Sequence, residues 1–221
     1  MKIVDYLNEK FPTVVLVPSV YYQWDIGIHF SLGEGIYQFK ENGELNLEMF
    51  STAYKQTFKI FDELFDQNDD LILVTNNYKW KKQQQTTKLK VYQPNLRDKN
   101  ILKKLQSKTY PYPFEEDEKE DYEMQQFSLQ CKVSDINLEG LLKASLNEDF
   151  PPMKPRFGCD SVYYPDVFFV NTTKDIIFFV YDDRGCEVIA LTAEKLRPLY
   201  EKHYDWVDEV DRERIEKGLG M

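Results

Sequence analysis

Ile176-Ile-Phe-Phe-Val-Tyr-Asp-Asp-Arg-Gly-Cys-Glu-Val-Ile-Ala190 holds two short apolar runs separated by four residues that suit a turn. Ile176 to Tyr181 and Glu187 to Leu191 are rich in β-branched and aromatic side chains, the types that favour a pleated, half-buried backbone. Asp182-Asp183-Arg184-Gly185 can cap its own backbone and is expected to take a positive φ at Gly185, so the stretch reads as a β-hairpin. Just upstream, Thr173-Lys174-Asp175 separates Val167 to Val170 from Ile176, which extends the hairpin to a three-stranded antiparallel meander.

Outward from the meander, Thr192 is placed to cap a helix over Ala193 to His203, and Asp208 to Lys217 reads as a final helix. On the other side, Phe127, Leu129, Cys131 and Val133 alternate as in a strand. Leu138, Leu141, Leu142 and Leu146 share one helical face, with Ser134 or Asp135 as the N-cap. Nearer the start, Ile3, Val4, Leu7 and Phe11 form a helical face stopped by Pro12. Tyr22, Trp24, Ile26, Ile28, Phe30 and Leu32 recur at every second position, which predicts one long strand. From Asn46 the spacing of Met49, Phe50, Ala53, Tyr54, Thr57, Phe58, Phe61, Leu64 and Phe65 is helical and long enough for a helix packed on a sheet. Leu71 to Thr75 and Leu89 to Tyr92 read as strands, and Asp98 to Leu105 as a short basic helix.

Strands and helices thus alternate irregularly, with hairpins rather than repeated crossovers. The expected class is α+β, with antiparallel sheets, packed amphipathic helices and two similar lobes. Tyr110-Pro-Tyr-Pro-Phe114 and the acidic run at 115 to 121 favour extended, self-repelling backbone, so residues 110–123 are expected to link a lobe at 1–109 to one at 124–221.

The chain has 221 residues, 42 % of them hydrophobic, with 15 Phe, 15 Tyr and 3 Trp, enough to form a core without metals or disulfides. No apolar run approaches the roughly 18 residues needed to span a bilayer, and the first ten residues carry no export signal. Three cysteines without C-x-x-C spacing suit thiols in a reducing compartment, and two histidines leave too few ligands for an ordinary zinc site. A net charge of −10 disfavours nonspecific nucleic-acid binding. Against that average, residues 79–108 carry ten basic side chains and one acid, Asp98.

The run from Ile176 to Ala190, together with Leu196-Arg-Pro-Leu-Tyr200, Asp205-Trp206 and Asp211-Arg212, resembles a bacterial family of uncharacterised proteins, domain of unknown function 3885. The helix at Phe61-Asp-Glu-Leu-Phe65 and its following strand are similar as well. The resemblance implies one cytoplasmic bacterial protein and carries over no catalytic residues.

Asp182, Asp183 and Arg184 are the densest charge group at a turn. Two carboxylates beside a guanidinium can hold a divalent cation or share a proton, yet the same residues also stabilise a turn. Pro165-Asp166 matches the first half of a Pro-Asp…acid-x-Lys nuclease pattern, but Glu187-Val188-Ile189 lacks the lysine. Trp206 suits either a core anchor or a partner contact. Lys79 to Lys108, with Tyr78, Trp80 and Tyr92 interleaved, suits a solvated edge or a nucleic-acid surface. No nucleophile elbow, phosphate loop or dinucleotide fingerprint is present.

The expectation is therefore a non-enzymatic cytoplasmic protein that binds another protein, as an immunity or antitoxin-like partner of a basic toxin, through Asp182, Asp183, Arg184 and Trp206. No cofactor, metal, membrane or nucleic acid is expected. The competing readings are a metal-dependent hydrolase or nuclease using Asp166, Asp182 and Asp183, and nucleic-acid binding through residues 79–108.

Overall fold

The computed structural model describes residues 2–82, 91–157 and 164–221. Its elements run α1 (Ile3–Lys10), β1 (Gly27–Ser31), α2 (Leu47–Leu64), β2 (Asp70–Trp80), α3 (Tyr92–Asn95), β3 (Gln106–Pro111) and β4 (Tyr122–Lys132). They continue with α4 (Leu138–Leu146), β5 (Asp166–Asn171), β6 (Ile176–Asp182), β7 (Gly185–Ala190), α5 (Arg197–Lys202) and α6 (Glu209–Leu219). The strands form one antiparallel seven-stranded sheet in the order β1-β7-β6-β5-β2-β4-β3, an α+β architecture.

The central strands are apolar on both faces because both faces are covered. Leu71, Leu73, Phe169, Phe178 and Val188 point to the side packed by α2, α4, α5 and α6. Ile72, Val74, Phe168, Ile177 and Phe179 point to the other, closed by α1 and by Phe11, Leu16 and Val20 that follow it. Phe61 of α2 centres the first side, stacked on Phe65 and edge-on to Phe169 and Phe178. Among the described residues no helix is long and apolar enough to cross a membrane.

The meander, α2 and the helix after residue 137 take their expected places. The side chain of Asn46 caps α2, and Asn137, rather than Ser134 or Asp135, caps α4. The division into two lobes does not describe the sheet: β2 lies between β4 and β5, so strands from both sides of residues 110–123 share one ladder. That segment connects β3 to its neighbour β4. Its acids answer the basic stretch before it: Lys79 pairs with Glu123 at 3.0 Å, Lys82 with Asp121 at 3.7 Å, and Trp80 stacks on Tyr122.

The long strand expected over Tyr22–Leu32 is only Gly27–Ser31. Its ladder partner, β7, ends at Ala190, whose N–H donates to the Ile26 carbonyl at 3.1 Å, so the residues before Ile26 have no strand to pair with. Val20–Gln23 forms a 3₁₀ turn, and the indole of Trp24 donates to the Ala190 carbonyl at 2.9 Å. The segment after Thr192 splits into a 3₁₀ turn at Ala193–Lys195 and the short α5. Of the strand expected at Leu89–Tyr92, residues 89 and 90 lie outside the described residues, and Tyr92 opens α3.

Candidate functional site

The β6–β7 turn is held by its own acid. The Asp182 carboxylate accepts from the backbone N–H of Arg184 at 2.8 Å and from its guanidinium at Nε and Nη2. Gly185 does not supply a positive φ; among the described glycines positive φ falls at Gly33, Gly35, Gly43 and Gly220. What position 185 requires is space. A Cβ there would run into the Tyr181 hydroxyl and lie 2.7 Å from the Phe30 carbonyl oxygen. The ladder is shifted between Val180 and Asp182, leaving Tyr181 as an extra residue, a bulge of the kind that re-aims a side chain.

Asp183 is buried and accepts from the Gln38 amide at 2.8 Å. Burial, together with the neighbouring Asp182 charge, raises its carboxyl above the usual range, while the Gln38 bond opposes that shift. Gln38 belongs to a small closed loop: the Asn46 N–H donates to the Gln38 carbonyl and the Lys40 N–H to the Glu44 carbonyl. On either side of Gln38, Tyr37 is 81 % and Phe39 54 % exposed. The single Gln38–Asp183 bond therefore ties two exposed aromatic rings to the acidic turn.

The chain leaving α4 completes the site. Asp149, Asp182 and Asp183 each offer a carboxylate oxygen within 4.8 Å of the others. Beside them a cavity of about 190 Å³ is lined by Glu148, Asp149, Tyr164, Asp166, Tyr181 and Asp182, among others. Glu148 is 5 % exposed. Its Oε1 accepts from the Phe157 N–H at 2.5 Å, and its Oε2 is buried without a hydrogen-bond partner among the described residues. Burial raises the Glu148 carboxyl. Asp166, at the start of β5, accepts from the Tyr78 hydroxyl and the Asn76 amide, yet desolvation still pushes it up to about 7.

From Asp166 a row of polar groups crosses the face that carries α1. Gln126 donates to Asn76 at 3.0 Å, and Asn76 reaches Asp166. Farther along, Tyr181 lies 2.9 Å from His29 Nε2, and His29 Nδ1 lies 2.8 Å from Asp211 of α6. Glu187, paired with His29 in the ladder, is buried and accepts from the Tyr21 N–H at 3.2 Å.

Of the residues singled out from sequence, Asp166 and Asp182 line one cavity, Asp183 stands beside it, and Arg184 occupies the Asp182 carboxylate. Trp206 does not line this cavity; it stacks on His203 at 4.1 Å between ring centres. Glu148, Asp149 and Gln38 were not legible as partners of the turn, because the folding of α4 and of the Gln38 loop brings them to it. Cys131 is half-buried and Cys186 buried, both free thiols; burial pushes Cys131 up to about 12 and raises Cys186 further. Cys159 lies outside the described residues.

The family model described as Domain of unknown function (DUF3885) matches residues 3–211. An uncharacterised protein, YnaE of Bacillus subtilis (strain 168), is 61 % identical over 210 residues, covering 95 % of this chain and 98 % of the relative. No solved structure matches the chain significantly.

Proposed function

This chain belongs to the DUF3885 family, and we propose that it works as a protein-binding module that docks a basic partner through the face formed by the Gln38 loop and the β6–β7 turn. The observation that carries this reading is the Gln38–Asp183 hydrogen bond, which joins the loop bearing exposed Tyr37 and Phe39 to the turn whose carboxylates group with Asp149. Exposed aromatic rings supply the apolar anchor of a docking surface, and the acids around them steer and select a positively charged partner. An immunity-like covering of a basic toxin is the form of docking that this chemistry suits.

The test is photo-crosslinking in the native host from position 37, with position 107 on the exposed strand β3 as control. A basic protein cross-linked in good yield from 37 and not from 107 is the expected result. The same proteins from both positions, or none from 37, would contradict the reading.

A second reading, metal-dependent hydrolysis, rests on the 4.8 Å grouping of Asp149, Asp182 and Asp183. Two of those three carboxylates are already engaged, Asp182 by Arg184 and Asp183 by Gln38, which lowers what they can offer a cation. Calorimetric titration with Mg²⁺ and Mn²⁺ separates the two: binding lost in Asp149→Asn favours the metal.

A further inference from the structure

We infer that the cavity between the end of α4 and the start of β5 receives the guanidinium group of an arginine side chain from the basic partner. The inference rests on the docking reading above and specifies which chemistry that face selects.

Glu148 is almost fully buried, lines the cavity, and leaves Oε2 without a hydrogen-bond partner among the described residues. An unpaired buried carboxylate oxygen is costly, and a donor entering the cavity would remove that cost. Arg156 does not do so: its guanidinium hydrogen-bonds the backbone carbonyl of Glu148 and lies over the Tyr164 ring, so it and Lys154 act on the carboxylate through charge alone and Oε2 keeps no donor among the described residues. Asp149 beside it makes no ion pair among the described residues.

Shape and lining then decide the kind of cation. A cavity of about 190 Å³ is larger than a bare metal ion needs, and Phe179 and Tyr181 form part of its wall. An apolar stem ending in a flat, weakly hydrated cation suits such a mixture of rings and carboxylates better than a strongly hydrated divalent ion. A guanidinium presents several N–H donors in one plane, enough to reach both Glu148 and Asp149.

The experiment is titration calorimetry of the whole chain with N-acetyl-arginine amide, using N-acetyl-norleucine amide and MgCl₂ as comparison ligands. Saturable binding of the arginine compound alone is expected. Glu148→Gln, and separately Asp149→Asn at an exposed position that does not threaten folding, should each weaken it about tenfold or more, the loss typical of a charge-assisted hydrogen bond. The inference is overturned if arginine amide does not saturate, if norleucine amide binds equally, if only Mg²⁺ binds, or if both variants bind arginine as the parent does. Failure here with a basic protein still cross-linked from position 37 would remove the cavity's role and leave the docking face standing. Arginine binding without any such cross-link would remove the docking face instead.

Discussion

His29 on the first strand and Asp211 on the last helix meet at 2.8 Å, Nδ1 to Oδ2, while the other ring nitrogen of the same histidine lies 2.9 Å from the Tyr181 hydroxyl. One imidazole thus joins β1, β6 and α6, and it does so where β1 forms an edge of the sheet. An edge strand covered by a helix is protected from pairing with another chain, so the docking of α6 bears on solubility as well as stability.

If that bond fixes α6, His29→Ala and Asp211→Ala should each lower stability by about 1–3 kcal/mol, because each leaves a largely buried polar partner unsatisfied. Hydrogen exchange should rise first in residues 209–219. Unchanged exchange in α6 with faster exchange elsewhere would show that the helix is held by its other contacts, the buried Ile215 and Leu219 and the bonds from Tyr200 to Glu216 and from Arg197 to the Leu219 carbonyl.

At position 185 the account predicts a steric effect. Gly185→Ala forces either the Tyr181 side chain or the Phe30 carbonyl to move and should cost about 1–3 kcal/mol, the usual penalty for overpacking. Gly43 has a φ of +81° and nothing within 4 Å of a Cβ, so Gly43→Ala should cost only the left-handed strain of about 1–2 kcal/mol. Urea denaturation measures both. Near-ultraviolet circular dichroism should change for the first variant, through Tyr181, and not for the second.

Asp166 makes a prediction about pH. Its carboxyl is pushed by desolvation from 3.8 to about 7 in the folded protein, so the folded state holds a proton that the unfolded chain releases. The proton therefore favours folding fully below the unfolded value, and that contribution fades as pH rises to about 7, by up to ~1.4 kcal/mol per pH unit. Asp166→Asn removes the titration. The stability difference between parent and variant, from urea denaturation at intervals between pH 4 and 8, should shift by a few kcal/mol in favour of the variant as pH rises. A constant difference across that range would contradict the assignment.

Local patterns were legible where a single element decides its own burial. The stripe from Met49 to Phe65 and the apolar runs at 167–170 and 176–181 are read from spacing alone, because each packs on faces its own periodicity defines. The alternation from Tyr22 to Leu32 misleads because a strand also needs a partner, and β7 stops at Ala190. The acidic run after Pro113 resembles a linker for a related reason: its charges repel one another in isolation, but here Glu123 and Asp121 meet Lys79 and Lys82. At the candidate site, Asp182, Asp183 and Arg184 declare themselves by concentration. Glu148, Asp149 and Gln38 do not, because only tertiary packing carries them to the turn.

The most direct measurement is chemical-shift mapping of the ¹⁵N-labelled chain titrated at low salt with an arginine-rich peptide. The account predicts saturable shifts confined to residues 36–40, 148–149 and 181–184, weakened at high salt. Shifts spread evenly over all acidic surfaces, or centred on β3 and the lysines before it, would contradict it.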